Sequence, residues 1–169
     1  MKFSEYYQEM VNSTEIIRAL TANVSQDEAQ TRPTSEDWSM LEVMCHLRDE
    51  EREDFREHLD FILHPQNREW TKIDPQGWIT SRKYNEQDFE EVKISFFEER
   101  RKSLDWLIDL VDVDWDTTYD SEFGPFSAGE MFACWVAHDN LHIRQLVELQ
   151  RAHIERITQT HNILYAGDW

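Results

Sequence analysis

"SAGEMFACWVAHDNLHIRQLVEL", residues 127–149, carries the reading from which the fold follows. Ser127 with Glu130 three positions later is the pattern of a capping box, in which each side chain satisfies the other residue's backbone N–H at a helix start. From there Met131, Trp135, His138, His142, Gln145 and Leu149 recur at steps of three and four. They therefore lie along one face of a helix that runs to about residue 157. Two imidazoles interrupt what is otherwise a core stripe.

The same periodicity appears three more times upstream. Phe89, Val92, Phe96, Leu104, Leu107 and Ile108 face inward on a helix expected to start after Asn85 as cap and to reach about Val111, with "EERR" at 98–101 mostly solvated. A second capping box, Ser39 with Glu42, opens a helix whose apolar face is Met40, Val43, Met44, Leu47, Phe55, Leu59 and Ile62, and Pro65 stops it after about Leu63. Phe3, Tyr6, Met10, Ile17, Leu20 and Val24 form one stripe of a first helix over about 3–23. Between these helices lie "SQDEAQTRPTSEDW" at 25–38, a loop at 64–84 and the irregular "DVDWDTTYDSEFGPF" at 112–126. The expected architecture is all-α, a four-helix bundle with long connecting loops, and one domain spanning 1–169. The connections exceed those of an up-down bundle, so at least one crossover is expected, and periodicity leaves the topology open.

Composition agrees with long helices. Glycine and proline number four each, too few for the many turns of a β-sandwich, while seven Trp and nine Phe supply a core. Thirty-five acidic against seventeen basic residues give a net charge of −18, which repels phosphate backbones and anionic lipid. Neither nucleic acid nor membrane is therefore an expected partner, and "RRK" at 100–102 reads as helix solvation. The first residues lack the apolar core of a signal peptide, and the longest apolar run, "MFACWVA" at 131–137, cannot span a bilayer. A cytoplasmic protein is expected. Cys45 and Cys134 both fall inside apolar helical patterns and read as small buried hydrophobes in a reducing compartment.

On the second helix Val43, His46, Leu47 and Glu50 share a face, so a third histidine points inward from a different helix, with a carboxylate one turn beyond it. Buried neutral imidazoles without partners are costly, whereas a divalent cation accepts a lone pair from each. His46, His138 and His142 are therefore candidate metal ligands, and three imidazoles suit zinc, nickel, iron or copper. The plainer reading is a hydrogen-bonded core pair. Glu50 has four readings: a fourth ligand, an acceptor for an imidazole N–H, a general base, or a solvated helix acid, with acceptor or base preferred to ligand. His58, His64, His153 and His161 sit near helix ends or on polar faces and read as solvated. Asp139 follows His138 where the zinc-protease helix has a glutamate, but that glutamate is missing, so a protease assignment is weak. Trp70 and Trp78, with Trp38 and Trp135, either wall an apolar pocket at the site or belong to the core.

Three features together resemble the DinB-like (DinB/YfiT-like) superfamily: "DWSMLEVMCHLRDEE" at 37–51, "FGPFSAGEMFACWVAHDNLHIRQL" at 123–146, and the helical spacing between them. The resemblance implies a four-helix bundle, commonly homodimeric, with a divalent metal such as zinc or nickel held by three histidines, here His46, His138 and His142. Some members of that family are thiol-dependent transferases that use mycothiol, bacillithiol or glutathione. A low-molecular-weight thiol cosubstrate and a small-molecule substrate are thus implied for this chain. The expected activity is a metal-dependent S-transfer or hydrolysis, in which a Lewis acid activates a thiol or a water and Glu50 handles the proton. The competing class is a non-catalytic metal-binding or stress-related structural protein.

Overall fold

The computed structural model describes residues 2–66, 69–110, 112–121 and 124–167. Four long helical segments carry the fold. The first is α1 (Phe3–Thr21), followed by a short α2 (Gln26–Gln30) inside the first connection. The second is a continuous rod of α3 (Met40–Glu50), one π-helical turn (Glu51–Phe55) and α4 (Arg56–Leu63). The third is α6 (Phe89–Ile108) and the fourth α7 (Ala128–Thr158). The loop between α4 and α6 contains α5 (Pro75–Ser81) and a 3₁₀ turn at Tyr84–Glu86, and a hairpin of β1 (Thr118–Ser121) and β2 (Gly124–Ser127) precedes α7.

Both capping boxes form. The Ser39 N–H donates to Glu42 at 2.8 Å and the Glu42 N–H to the Ser39 hydroxyl oxygen at 3.2 Å, while Ser127 and Glu130 repeat the pair at 2.8 and 3.1 Å. The third helix starts differently from its expected cap. Asp88, not Asn85, accepts the Glu91 N–H at 2.9 Å, and Asn85 lies in the 3₁₀ turn. There its side chain accepts from the Ser39 hydroxyl at 2.6 Å and donates to the Gln30 carbonyl at 3.1 Å, tying three segments together. The expected end of that helix, Val111, is outside the described residues, and Ile108, expected to face inward, is 53 % exposed.

All three connections hold more order than their composition suggested, the first through α2. In the 64–84 loop Asp74 caps α5 by accepting the Gly77 N–H at 3.0 Å, with Pro75 at the first helical position. A side chain on Gly77 would meet the Asp74 carboxylate as it now stands, so the carboxylate would have to turn to make room. The stretch read as irregular before α7 is an antiparallel hairpin pairing Tyr119 with Phe126 and Ser121 with Gly124, whose φ of +106° favours glycine. Four-residue strands are too short for alternation to declare them.

Helix α1 packs against α6 and α7, and α3 packs against the same two. The ring order is therefore α1, α6, α3, α7, which places the first and second long helices on one diagonal and the third and fourth on the other. The connections at 22–39 and 109–127 each cross the bundle end along a diagonal, while the one between α4 and α6 joins neighbours in the ring. The apolar core falls into two clusters. One joins Ile17, Leu41, Met44, Phe96 and Leu146, and the other Met10, Leu59, Leu107, Phe132 and Trp135. Each long helix sends buried polar residues between the two: Ser13 and Thr14, Glu50 and Glu51, Glu99 and Arg100, Asp139 and His142. The bundle has a polar layer across its middle.

Candidate metal centre

The three histidines read as ligands meet in that layer. His46 comes from α3 and His138 and His142 from successive turns of α7, and one ring nitrogen from each lies within 4.8 Å of the others. Ring centroids are 4.7 Å apart for His46 and His142 and 4.4 Å for His138 and His142. His46 and His142 are buried, and His138 is half-buried. The helical rise explains the α7 pair, since residues four apart stack on one face. His46 joins them because α3 packs directly on α7.

Hydrogen bonds orient the rings. The His142 Nδ1–H donates to Gln145 Oε1 at 2.8 Å, leaving the Nε2 lone pair directed at His138 Nε2, 3.0 Å away. Glu50 stands on the other side of His138, with Oε2 2.9 Å from His138 Nε2, and its Oε1 is 3.6 Å from His46 Nδ1. That last separation is too long for a hydrogen bond, so His46 Nδ1 is a buried nitrogen without a partner. Burial, reinforced by the neighbouring imidazoles, pushes His46 down to about 3 and His142 down to about 4. Both rings are neutral at physiological pH and offer lone pairs. An orphaned buried nitrogen beside two further imidazoles fits a divalent cation.

Of the four tryptophans considered for a pocket wall, Trp38 alone stacks on a site histidine, edge-on to His46 at 5.0 Å. Trp135 is core, parallel to Phe55, which itself abuts His138 at 4.9 Å. Trp70 is sandwiched between His58 and Tyr119, and Trp78 carries Arg82 over its face at 4.0 Å. The long loop does not wall the histidines with those two rings. It is anchored instead through buried Asp49, which accepts from Arg82 at 2.6 Å and from the Tyr84 hydroxyl at 2.9 Å.

Several residues read as solvated are not. His58 is buried, with Nδ1 2.6 Å from Asp54 and Nε2 2.8 Å from the Thr71 carbonyl oxygen. His64 and His161 are exposed as expected, and half-buried His153 lies 3.4 Å from Glu28. In "EERR" and "RRK" two residues are buried rather than solvated: Glu99, paired with Arg56, and Arg100, 1 % exposed, whose guanidinium grips Glu51 and Asp139. Both oxygens of Asp139 are taken by that arginine, which removes it as a protease-like base. Cys45 is buried, its thiol pushed up to about 12 by that burial, whereas Cys134 is exposed, and no disulfide joins them. Periodicity could not separate these cases, because a bundle with a polar middle buries charged residues on the stripe that elsewhere meets water.

The family model of the DinB superfamily matches residues 9–146. The chain belongs to the DinB superfamily. That match includes all three histidines and Glu50, as the resemblance of the two quoted stretches implied. Among solved structures the chain is similar to YfiT from Bacillus subtilis, described as a probable metal-dependent hydrolase with an unusual four-helix bundle topology. The TM-score is 0.76 at 14% identity, over 89% of this chain and 86% of that one, a likeness of fold. No curated protein matches the chain significantly. Among the described residues no helix is long and apolar enough to cross a membrane.

Proposed function

We propose that this DinB-superfamily chain is a divalent-metal-dependent hydrolase of a small electrophilic substrate, with His46, His138 and His142 as the ligands. The observation that carries the reading is the convergence of three imidazoles from two helices with a carboxylate at hydrogen-bond distance. A bound cation of the zinc or nickel type would supply Lewis-acid polarisation and would lower the pKa of a nucleophile in the site. The protein does the rest. Gln145 holds the tautomer of His142, so that Nε2 stays available. Trp38 and Phe55 cover His46 and His138 with apolar surface, which limits water and strengthens electrostatic interactions inside. Glu50 accepts the proton that the attacking water releases, at Oε2, and returns it to the leaving group.

Elemental analysis of untagged protein tests the ligand set. The wild type should carry about one equivalent of transition metal per chain, and His46→Ala and His142→Ala should lose it. Glu50→Gln should retain the metal and lose at least about a hundredfold in turnover on an ester and amide panel. Addition of glutathione, bacillithiol or mycothiol separates the transferase reading, since S-transfer requires the thiol and hydrolysis proceeds without it. Metal retention with no turnover on any electrophile, with or without thiol, would leave a structural metal protein. We also propose a homodimer in the cytoplasm, as the family resemblance implies. Ile94, Ile108 and Ile157, each more than half exposed, leave apolar surface for a second copy, and light scattering tests the mass.

A further inference from the structure

Residues 49–51, Asp-Glu-Glu, are three consecutive buried acids, each facing a different part of the fold. Asp49 holds the α5 loop through Arg82 and Tyr84, Glu50 meets His138, and Glu51 meets Arg100. Successive side chains on a helix diverge by roughly 100°, so three in a row are buried only where the helix is enclosed on most sides. Glu51 is also the first residue of the π-helical turn. Such turns insert a residue into a helix and recur at functional sites.

Arg100, from α6, supplies no candidate ligand yet reaches the centre of the bundle. Its Nε and one terminal nitrogen donate to the two Glu51 oxygens at 2.8 and 2.7 Å. The terminal nitrogens donate to the two Asp139 oxygens at 2.6 and 2.7 Å, and one also lies 3.4 Å from the Thr14 hydroxyl. The Trp135 indole N–H adds a bond to Glu51 at 3.0 Å. A guanidinium has five N–H donors in a rigid plane, and here all five directions meet an acceptor. The two carboxylates are the chain neighbours of the site: Glu51 follows Glu50, and Asp139 follows His138.

Buried ion pairs are a weak source of stability, because removing the charges from water cancels most of their attraction, and apolar replacements are often as stable. What a doubly bidentate arginine does supply is direction. Turning the Glu51 segment or α7 about its own axis would pull a carboxylate out of the plane of the fork and, with it, move Glu50 or His138. We propose that Glu51, Arg100 and Asp139 are positioning residues of the metal centre, a clamp that sets the rotation of the two helices presenting Glu50 and His138. The inference rests on the three-histidine reading of the site.

Cobalt(II) alone is the probe, added to the metal-free full-length chain, with visible d–d absorption and affinity as readouts. The variants are Arg100→Met and the charge-balanced triple Glu51→Gln, Arg100→Met, Asp139→Asn, which leaves no unpaired buried charge should the single variant fail to fold. Arg100→Lys keeps the charge but loses the planar fork, and Leu59→Ala, at a buried apolar residue outside the polar layer, serves as a comparison for thermal destabilisation. The clamp predicts that the folded triple variant binds Co²⁺ at least about tenfold more weakly with an altered band shape, and that Arg100→Lys rescues affinity only partly. Leu59→Ala should keep the wild-type spectrum whatever its melting temperature. Wild-type affinity and spectrum in the triple variant would overturn the clamp while leaving the three-histidine site intact. Failure of the wild type itself to take up Co²⁺ would remove both.

Discussion

His58 shows how far a single residue departs from its local pattern. It is four positions from Asp54 on an acidic helix, yet it is buried against Trp70, with parallel rings 3.9 Å apart, between two acceptors. Burial alone would lower its pKa, but the hydrogen bond with Asp54 and the Thr71 carbonyl outweigh it, and the net shift is upward from 6.5. The folded state thus binds the proton more tightly than the unfolded chain. That stabilisation is fully present below about pH 6.5 and is lost as pH rises through the folded pKa. The melting temperature of the wild type should therefore fall relative to His58→Gln between about pH 6 and pH 9, and parallel curves would count against the charged ring. Asp54 is one turn away in the sequence, but the burial is not announced there, because Thr71 and Trp70, which enclose the ring, lie across a loop.

At the scale of the element, two of the capped starts and most of the helix ends were legible: the helix stopped by Pro65 ends at Leu63, and the last helix ends at Thr158, beside its expected end. Ser39 and Ser127 were readable as caps because a capping box is complete within four residues. Asn85 was misread because the competing cap, Asp88, is equally plausible locally, and what decides is that Asn85 is engaged by Ser39 and Gln30. Ser39→Ala should cost about 1 kcal/mol, lowering the melting temperature by roughly 2–4 °C, since it removes both the cap and the bond to Asn85. Arg32 pairs with Glu42 of the same box, so a smaller loss from Ser39→Ala than from Ser127→Ala would show that this outside support suffices. The π-helical turn had no signal, as "EREDF" has the composition of any solvated helix.

For the whole molecule, the polar layer between two apolar clusters makes stability and metal binding one question. Zinc at roughly a hundred times its Kd should add about 2.7 kcal/mol to the folded state, and the melting temperature should rise accordingly. His142→Ala should abolish the rise, and an equal rise in that variant would place the ion elsewhere. The sequence by itself determined the helical class, both capping boxes, and the inward direction of His46, Glu50, His138 and His142, because these depend on spacing along one helix. Only the tertiary structure decided the ring order of the bundle, the burial of His58 and Arg100, the exposure of Cys134, and the meeting of three histidines around one point. Those depend on which helices face each other across the core, and the diagonal order of this bundle comes from long-range packing that no local period encodes.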